Sequence, residues 1–176
     1  GETSTAGDIT TTADNISFAE DVTLTGDVSH NTGAGGGDIT YSSDVSGDFK
    51  LTATADTGTI NFLSTVGVDD PLSGLMVMSA ATLNFDGTVE VDDQGIDIDA
   101  GDVSFDQAVT TTSGGTVTIS NTGTLTIAAA ADMNLDGAFS QDGTGETSTA
   151  GDITTTADNI SSVSYTHLTL PTKVTV

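Results

Sequence analysis

Seventeen residues of this chain occur twice without a single change. GETSTAGDITTTADNIS runs from Gly1 to Ser17 and again from Gly145 to Ser161, a period of 144. Identity at a fixed long period marks a tandem repeat. Tandem repeats fold as stacked, elongated structures in which each unit leans on its neighbours. Residues 1–161 are therefore read as one repeat region whose second copy begins at 145.

A shorter pattern runs inside the long one: apolar, polar, apolar, with an aromatic often third. It reads Ile16-Ser17-Phe18, Ile39-Thr40-Tyr41, Ile60-Asn61-Phe62, Leu83-Asn84-Phe85 and Val103-Ser104-Phe105, and Leu125-Thr126-Ile127 continues it. The steps are 23, 21, 23, 20 and 22 residues. Further strands lie between, such as Val22-Thr23-Leu24, Leu51-Thr52-Ala53, Leu75-Met76-Val77, Val89-Glu90-Val91, Ile96-Asp97-Ile98 and Val117-Thr118-Ile119. Alternation with period two sends one set of side chains inward and the other outward. The 34 Thr favour strands, and nothing reads as an amphipathic helix. Gly-Asp pairs punctuate the strands at Gly7-Asp8, Gly26-Asp27, Gly37-Asp38, Gly47-Asp48 and Gly101-Asp102. In a turn Gly supplies positive φ and Asp bonds its own backbone.

These signs predict an all-β fold, a parallel β-helix or β-solenoid of about 20–23 residues per coil. A coil cannot bury its inner face alone; stacking at ~4.8 Å builds a continuous core, with Ile and Phe repeating as ladders. The alternative is antiparallel β-sandwich repeats, for which Asp86-Gly87 between Leu83-Asn84-Phe85 and Val89-Glu90-Val91 is a hairpin signal.

Charge narrows the partners. There are 26 Asp plus Glu against 2 Lys plus Arg, a formal net charge of −24, with no Arg. Such a surface repels nucleic acid and anionic lipid, both of which are bound through Lys and Arg, and attracts cations. No stretch nears 18 apolar residues, so no membrane insertion is expected of this segment. Without Cys, disulfides and Cys-ligated metals are excluded.

The end of the chain differs from the rest. Residues 163–172, VSYTHLTLPT, resemble a translated sequencing adapter, and the tail holds one each of the two His, Pro, Tyr and Lys. Phe18-Ala19-Glu20-Asp21 follows the first copy, whereas Ser162-Val163-Ser164-Tyr165 follows the second. Residues 162–176 are read as an artefactual tail and set aside. The first Met is Met76, and the chain is expected to be an internal fragment of a longer reading frame.

The run from Gly58-Thr59-Ile60-Asn61-Phe62 to Pro71-Leu72, and then Leu75 to Phe85, resembles the repeats of giant bacterial surface proteins. These are the filamentous-haemagglutinin-like and autotransporter-like adhesins. The resemblance spans residues 1–161 and is one of pattern and composition. It implies a right-handed parallel β-helix, export to the extracellular space or outer cell surface, and a stalk or cell-adhesion role. The implied partners are a host, cell-surface or matrix ligand and neighbouring repeats of the same chain. It carries over no catalytic residue.

Candidate sites are few. Asp97, Asp99 and Asp102 cluster in IDIDAGD, near Asp92-Asp93 and Asp69-Asp70. Calcium takes six to eight oxygens, which carboxylates supply, so these three are the candidate calcium ligands. They would make the chain a calcium-stabilised extracellular matrix or biofilm module. The plainer reading turns Asp97 and Asp99 to solvent while Ile96 and Ile98 face the core. The EF-hand loop is absent and the nonapeptide GGxGxDxUx is only grazed by Gly33-Ala34-Gly35-Gly36-Gly37-Asp38. A remote alternative is a polysaccharide-active β-helix enzyme, since paired carboxylates can cleave glycosides. Outside the tail, His30 and Lys50 are the one His and one strong base. His30, in SHNTGAGGG, reads as a turn residue, and no catalytic residue and no cofactor are expected. Outward Thr-x-Thr pairs at 10–12, 23–25, 52–54 and 116–118 do not keep one register, as an ice-binding face would require.

Overall fold

The structure, a computed structural model, describes residues 1–156 and 158–162. The adapter-like residues 163–172 lie outside them, as does the rest of the tail beyond Ser162. The described residues form strands and turns with no helix, wound as a β-solenoid of about eight turns. All ladders are parallel. The parallel reading therefore holds and the hairpin does not. Thr82–Phe85 and the strand after Asp86-Gly87 do not pair with each other; each pairs with neighbouring coils.

Each coil has three strands, one more than a simple alternation of inner and second strands suggests. The first face carries Ile16–Phe18, Ile39–Tyr41, Thr59–Phe62, Thr82–Phe85, Asp102–Phe105, Thr124–Ile127 and Glu146–Thr149. The second face carries Glu2–Thr5, Asp21–Leu24, Val45–Ser46, a bridge at Val66, the start of Val89–Ala100, Val109–Thr111, Met133–Leu135 and Ile153–Thr155. The third face carries Ile9–Thr10, Val28–Asn31, Lys50–Thr54, Leu72–Ser79, the end of Val89–Ala100, Val117–Asn121, Phe139–Gln141 and Ile160–Ser162.

Period-two alternation does the rest. On the first face Ile16, Ile39, Ile60, Leu83, Val103 and Leu125 form one inward column. Phe18, Tyr41, Phe62, Phe85 and Phe105 form the next, five rings lying flat on one another. From Tyr41 to Phe105 their centroids are 4.7–4.9 Å apart and nearly parallel. The ring spacing matches the spacing of the strands that carry them, so one aromatic per coil is enough to run a continuous stack through the core. Val22, Val45, Val66, Val89, Val109 and Met133 fill the second face, and Val28, Leu51, Leu75, Ile96, Val117 and Phe139 the third.

Corners are made where two backbones nearly touch. A Cβ added at Gly101 would run into the carbonyl oxygen of Ala81 one coil back. Gly47, at φ 115°, lies so close to the backbone of Leu24 that it has neither the dihedral nor the room for a side chain.

The repeated segment does not return to its starting face. Glu2–Thr5 pairs with Asp21–Leu24 on the second face, whereas Glu146–Thr149 pairs with Thr124–Ile127 on the first. Ile9–Thr10 lies on the third face and Ile153–Thr155 on the second. Ile16–Phe18 lies on the first and Ile160–Ser162 on the third. The 144-residue period is thus six and two-thirds coils. Ser162, which the sequence puts in the tail, still pairs with Gln141 and donates to its Oε1 at 2.7 Å.

Candidate functional site

The side chains that do chemistry on this surface are carboxylates, and most of those with described partners hold the solenoid together. At several corners an Asp or Asn accepts a backbone N–H from the next coil. Asp8 takes Ser29 N at 2.8 Å, Asp27 takes Lys50 N at 2.9 Å, Asp38 takes Thr59 N at 2.8 Å and Asp102 takes Thr124 N at 2.7 Å. Asn15 does the same for Asp38 N, and Asp132 for Asp152 N. This corrects the turn reading of the Gly-Asp pairs. Glycine lets the backbone corner tightly, but the carboxylate reaches 21–23 residues along the chain rather than to its own turn. A charge-assisted bond to a backbone amide is among the stronger hydrogen bonds a surface offers. A row of them explains how an acidic chain with few cations stacks at all.

Two carboxylates gather hydroxyls as well. Asp44 accepts from Ser64 Oγ, Thr65 Oγ1 and Thr65 N at 2.6, 2.7 and 3.1 Å. The Ser64 and then the Thr65 hydroxyl hold it below the usual carboxylate range. Ser113 and Thr112 do the same for Asp92.

The candidate calcium ligands are split between faces. Asp97 and Asp99 are exposed on the third face, with Ile96 and Ile98 buried between them and the core. They line an open depression with Met76, Met78 and Asp142. Asp102 begins a strand of the first face and spends one oxygen on Thr124 N. Among the described residues no three metal-ligating side chains come together. Asp97 sits in an outward column of Thr52, Met76, Asp97, Thr118 and Ser140, so no single chemistry repeats up that face, threonine included.

His30 is the residue most misread from sequence. It lies in the strand Val28–Asn31 and is fully buried. Its Nδ1 is 2.6 Å from Tyr41 Oη, and its ring packs against Phe18. Burial pushes its pKa down to about 4, against a smaller upward pull from Asp8. Burial also raises the Tyr41 hydroxyl. His30 Nε2 has no hydrogen-bond partner among the described residues. The only nearby hint in the sequence was Val28-Ser29-His30, whose alternation places the imidazole inward; the Gly-rich run after it masked that signal.

Sequence reasoning also missed an inward polar chain near the second copy. Asn121 and Gln141 are fully buried, and Gln141 Nε2 donates to Asn121 Oδ1 at 2.7 Å. The Asn121 amide in turn donates to Gly123 O at 2.8 Å. On the outside of the first face Asn61, Asn84 and Ser104 form a shorter ladder, bonded at 2.9 Å each. Comparison with protein-family models, curated proteins and solved structures gives no match.

Proposed function

We propose that residues 1–161 act as a spacer and presenting segment, a stalk or cell-adhesion filament within a large secreted or surface-exposed bacterial protein. This is the role implied by their resemblance to filamentous-haemagglutinin-like and autotransporter-like adhesins. The observation that carries the reading is the unbroken core. From Tyr41 to Phe105 the aromatic stack and the aliphatic columns beside it give successive coils like inner contacts, so coils of this kind can be added without a new packing solution. No reaction is proposed.

The test uses chains of one, two and three 144-residue units displayed between a bead and a terminal binding tag. At ~4.8 Å per coil each unit adds about 32 Å of reach. Reach that fails to grow with unit number defeats the stalk reading. Beads coated with the chain alone, offered to cells and matrix, separate adhesion from spacing: capture supports an adhesive face, and no capture leaves the spacer.

A second reading, a calcium-stabilised matrix module, is favoured by the placing of Asp97, Asp99 and Asp142 around one depression on a chain of net charge −24. Like charges stacked at about 5 Å repel by roughly 0.8 kcal/mol in water before screening. A melting temperature that falls when EDTA is added supports this reading; indifference to EDTA ends it.

A further inference from the structure

Two prolines occur in this chain, and one of them, Pro71, follows Asp70 to make the one Asp-Pro bond in the sequence. The bond lies in the corner that joins Val66 on the second face to Leu72 on the third. Val68, Asp69 and Asp70 are exposed there and Pro71 is half-buried. The preceding coil clamps the corner on both sides: Gly67 N donates to Val45 O at 2.7 Å and Ser73 N to Phe49 O at 3.2 Å. Between these clamps the main-chain carbonyl oxygen of Asp70 accepts the Gly47 N–H at 3.0 Å. Gly47 is buried and packed against the backbone of Leu24, so that N–H is held in place.

Three groups thus meet at one peptide bond. The Asp70 carboxylate reaches its own main-chain carbonyl carbon by closing a five-membered ring, an attack that needs no diffusion. Asp8, Asp27, Asp38 and Asp102 spend their carboxylates on amides of the next coil, whereas Asp70 has no side-chain hydrogen bond among the described residues. The Pro71 nitrogen carries no hydrogen and leaves as a secondary amine. The Gly47 N–H polarises the carbonyl and stabilises its oxygen as negative charge builds. A donor to a carbonyl lies near the plane of the peptide, and the carboxylate attacks from outside that plane, so the two do not compete. The charged neighbours are Asp69 in the same corner, Asp48 and Lys50 in the coil before, and Glu90, Asp92 and Asp93 in the coil after. Carboxylates outnumber the single cation, which draws protons toward the leaving nitrogen.

We infer that Asp70–Pro71 is a self-cleavage site, cut by the Asp70 carboxylate with the Gly47 N–H holding the carbonyl oxygen. A side-chain oxygen of Asp70 bonds to the Asp70 carbonyl carbon. The C–N bond to Pro71 breaks, its electron pair stays on nitrogen, and the nitrogen takes a proton from solvent. One water then opens the cyclic anhydride of Asp70 to a C-terminal aspartic acid. The sum is one water consumed per peptide bond, with nothing oxidised or reduced. The chain acts once on itself rather than on a substrate, and the cut needs only the corner, not the stalk role proposed above. It also leaves the solenoid whole. Residues 1–70 and 71–162 stay joined through Lys50–Thr54 with Leu72–Ser79, Thr59–Phe62 with Thr82–Phe85, the Val66–Val89 bridge and the Phe62–Phe85 stack at 4.9 Å. Cleavage therefore turns a continuous filament into one with a joint held by packing alone.

The test incubates the intact chain beside a synthetic peptide of residues 67–74, which lacks Gly47. The buffer is mildly acid, kept above the pH of about 4 at which folded His30 takes up its proton. Mass spectrometry should find fragments that end at Asp70 and begin at Pro71, formed at least about fivefold faster in the chain than in the peptide. A chain that cuts no faster than the peptide would overturn the inference, because the corner would then add nothing to the bond's own lability. Asp70→Glu must close a six-membered ring, and Pro71→Ala gives the leaving nitrogen an N–H. Each should slow the cut by at least about tenfold, with circular dichroism checking that the variant is folded. Unchanged fragments from a folded variant would overturn attack by this carboxylate. The cut chain should sediment as one species in buffer and run as two pieces in detergent; pieces that part in buffer would overturn the packed joint.

Discussion

Ile16 is 5% exposed and Ile160 is 52% exposed, although the seventeen residues that contain them are identical. The two copies share what local sequence can decide. Thr5 Oγ1 donates to Gly7 O and Thr149 Oγ1 to Gly151 O; Thr11 Oγ1 donates to Asp14 O and Thr155 Oγ1 to Asp158 O. They differ in everything a neighbour decides: the face they occupy, the edge they pair through and the depth of their apolar residues. Turn chemistry is thus intrinsic to the segment, while burial and register are lent to it by the adjoining coil.

Charge at the paired isoleucines breaks the comparison hardest. Ile16→Asp should cost roughly 4 kcal/mol, because it buries an unpaired carboxylate and removes core contacts. Ile160→Asp should change the stability of the monomer by less than about 0.5 kcal/mol. Chemical denaturation of the two variants checks this, and equal losses would mean that the two copies are covered alike.

Acid comes next, and it acts at the first copy. His30 shares an inward column with Ile9 above and, five coils on, with Gln141 beside the second copy. Its folded pKa is depressed, so the unfolded chain takes up the proton first. Its contribution is intact above pH 6.5 and is lost as pH falls from there to about 4. That difference corresponds to roughly 3 kcal/mol. The Asp44 carboxyl, also held low, adds a further loss at still more acid pH. Stability measured from pH 7.5 to 4 should sag in the native chain, and His30→Gln, which copies the polar residue of the other end, should flatten that part of the curve.

Smaller effects sharpen the contrast. Gly151→Ala should destabilise by about 1–2 kcal/mol, since its Cβ meets the Ala128 carbonyl, whereas Gly7→Ala should be neutral or slightly stabilising. Thr5→Val and Thr149→Val should each cost about 0.5–1 kcal/mol and by the same amount, because the bond removed is local in both copies. A large difference between them would show that the turns, too, depend on the neighbouring coil.

The same division explains what could be read from the chain before it was seen folded. Phe18, Tyr41, Phe62, Phe85 and Phe105 recur at coil spacing, so the aromatic column, and with it the parallel stack, was legible. Ile96 and Ile98 inside with Asp97 and Asp99 outside follow from alternation alone. The role of Asp8, Asp27, Asp38 and Asp102 was not legible. Their partners lie one coil away, and coil lengths that vary from 20 to 23 residues hide which amide that is. His30 was lost for a related reason, since the Tyr41 hydroxyl that receives it comes from the next strand, eleven residues on, across the Gly-rich corner. Of the candidate calcium ligands, Asp97 and Asp99 share the third face as alternation places them, while a corner at Gly101 carries Asp102 onto another face.

A period of six and two-thirds coils gives a tandem array of these units a screw sense of its own, like thread cut on a three-sided bar. Successive units would present any given patch 240° further round in the direction of winding, and a partner waiting on one side would meet that patch again only at every third unit. Twenty coils at ~4.8 Å set that recurrence near 96 Å. Whatever binds along such a stalk would be held on alternating sides, too far apart on any one side for a small bivalent partner to bridge.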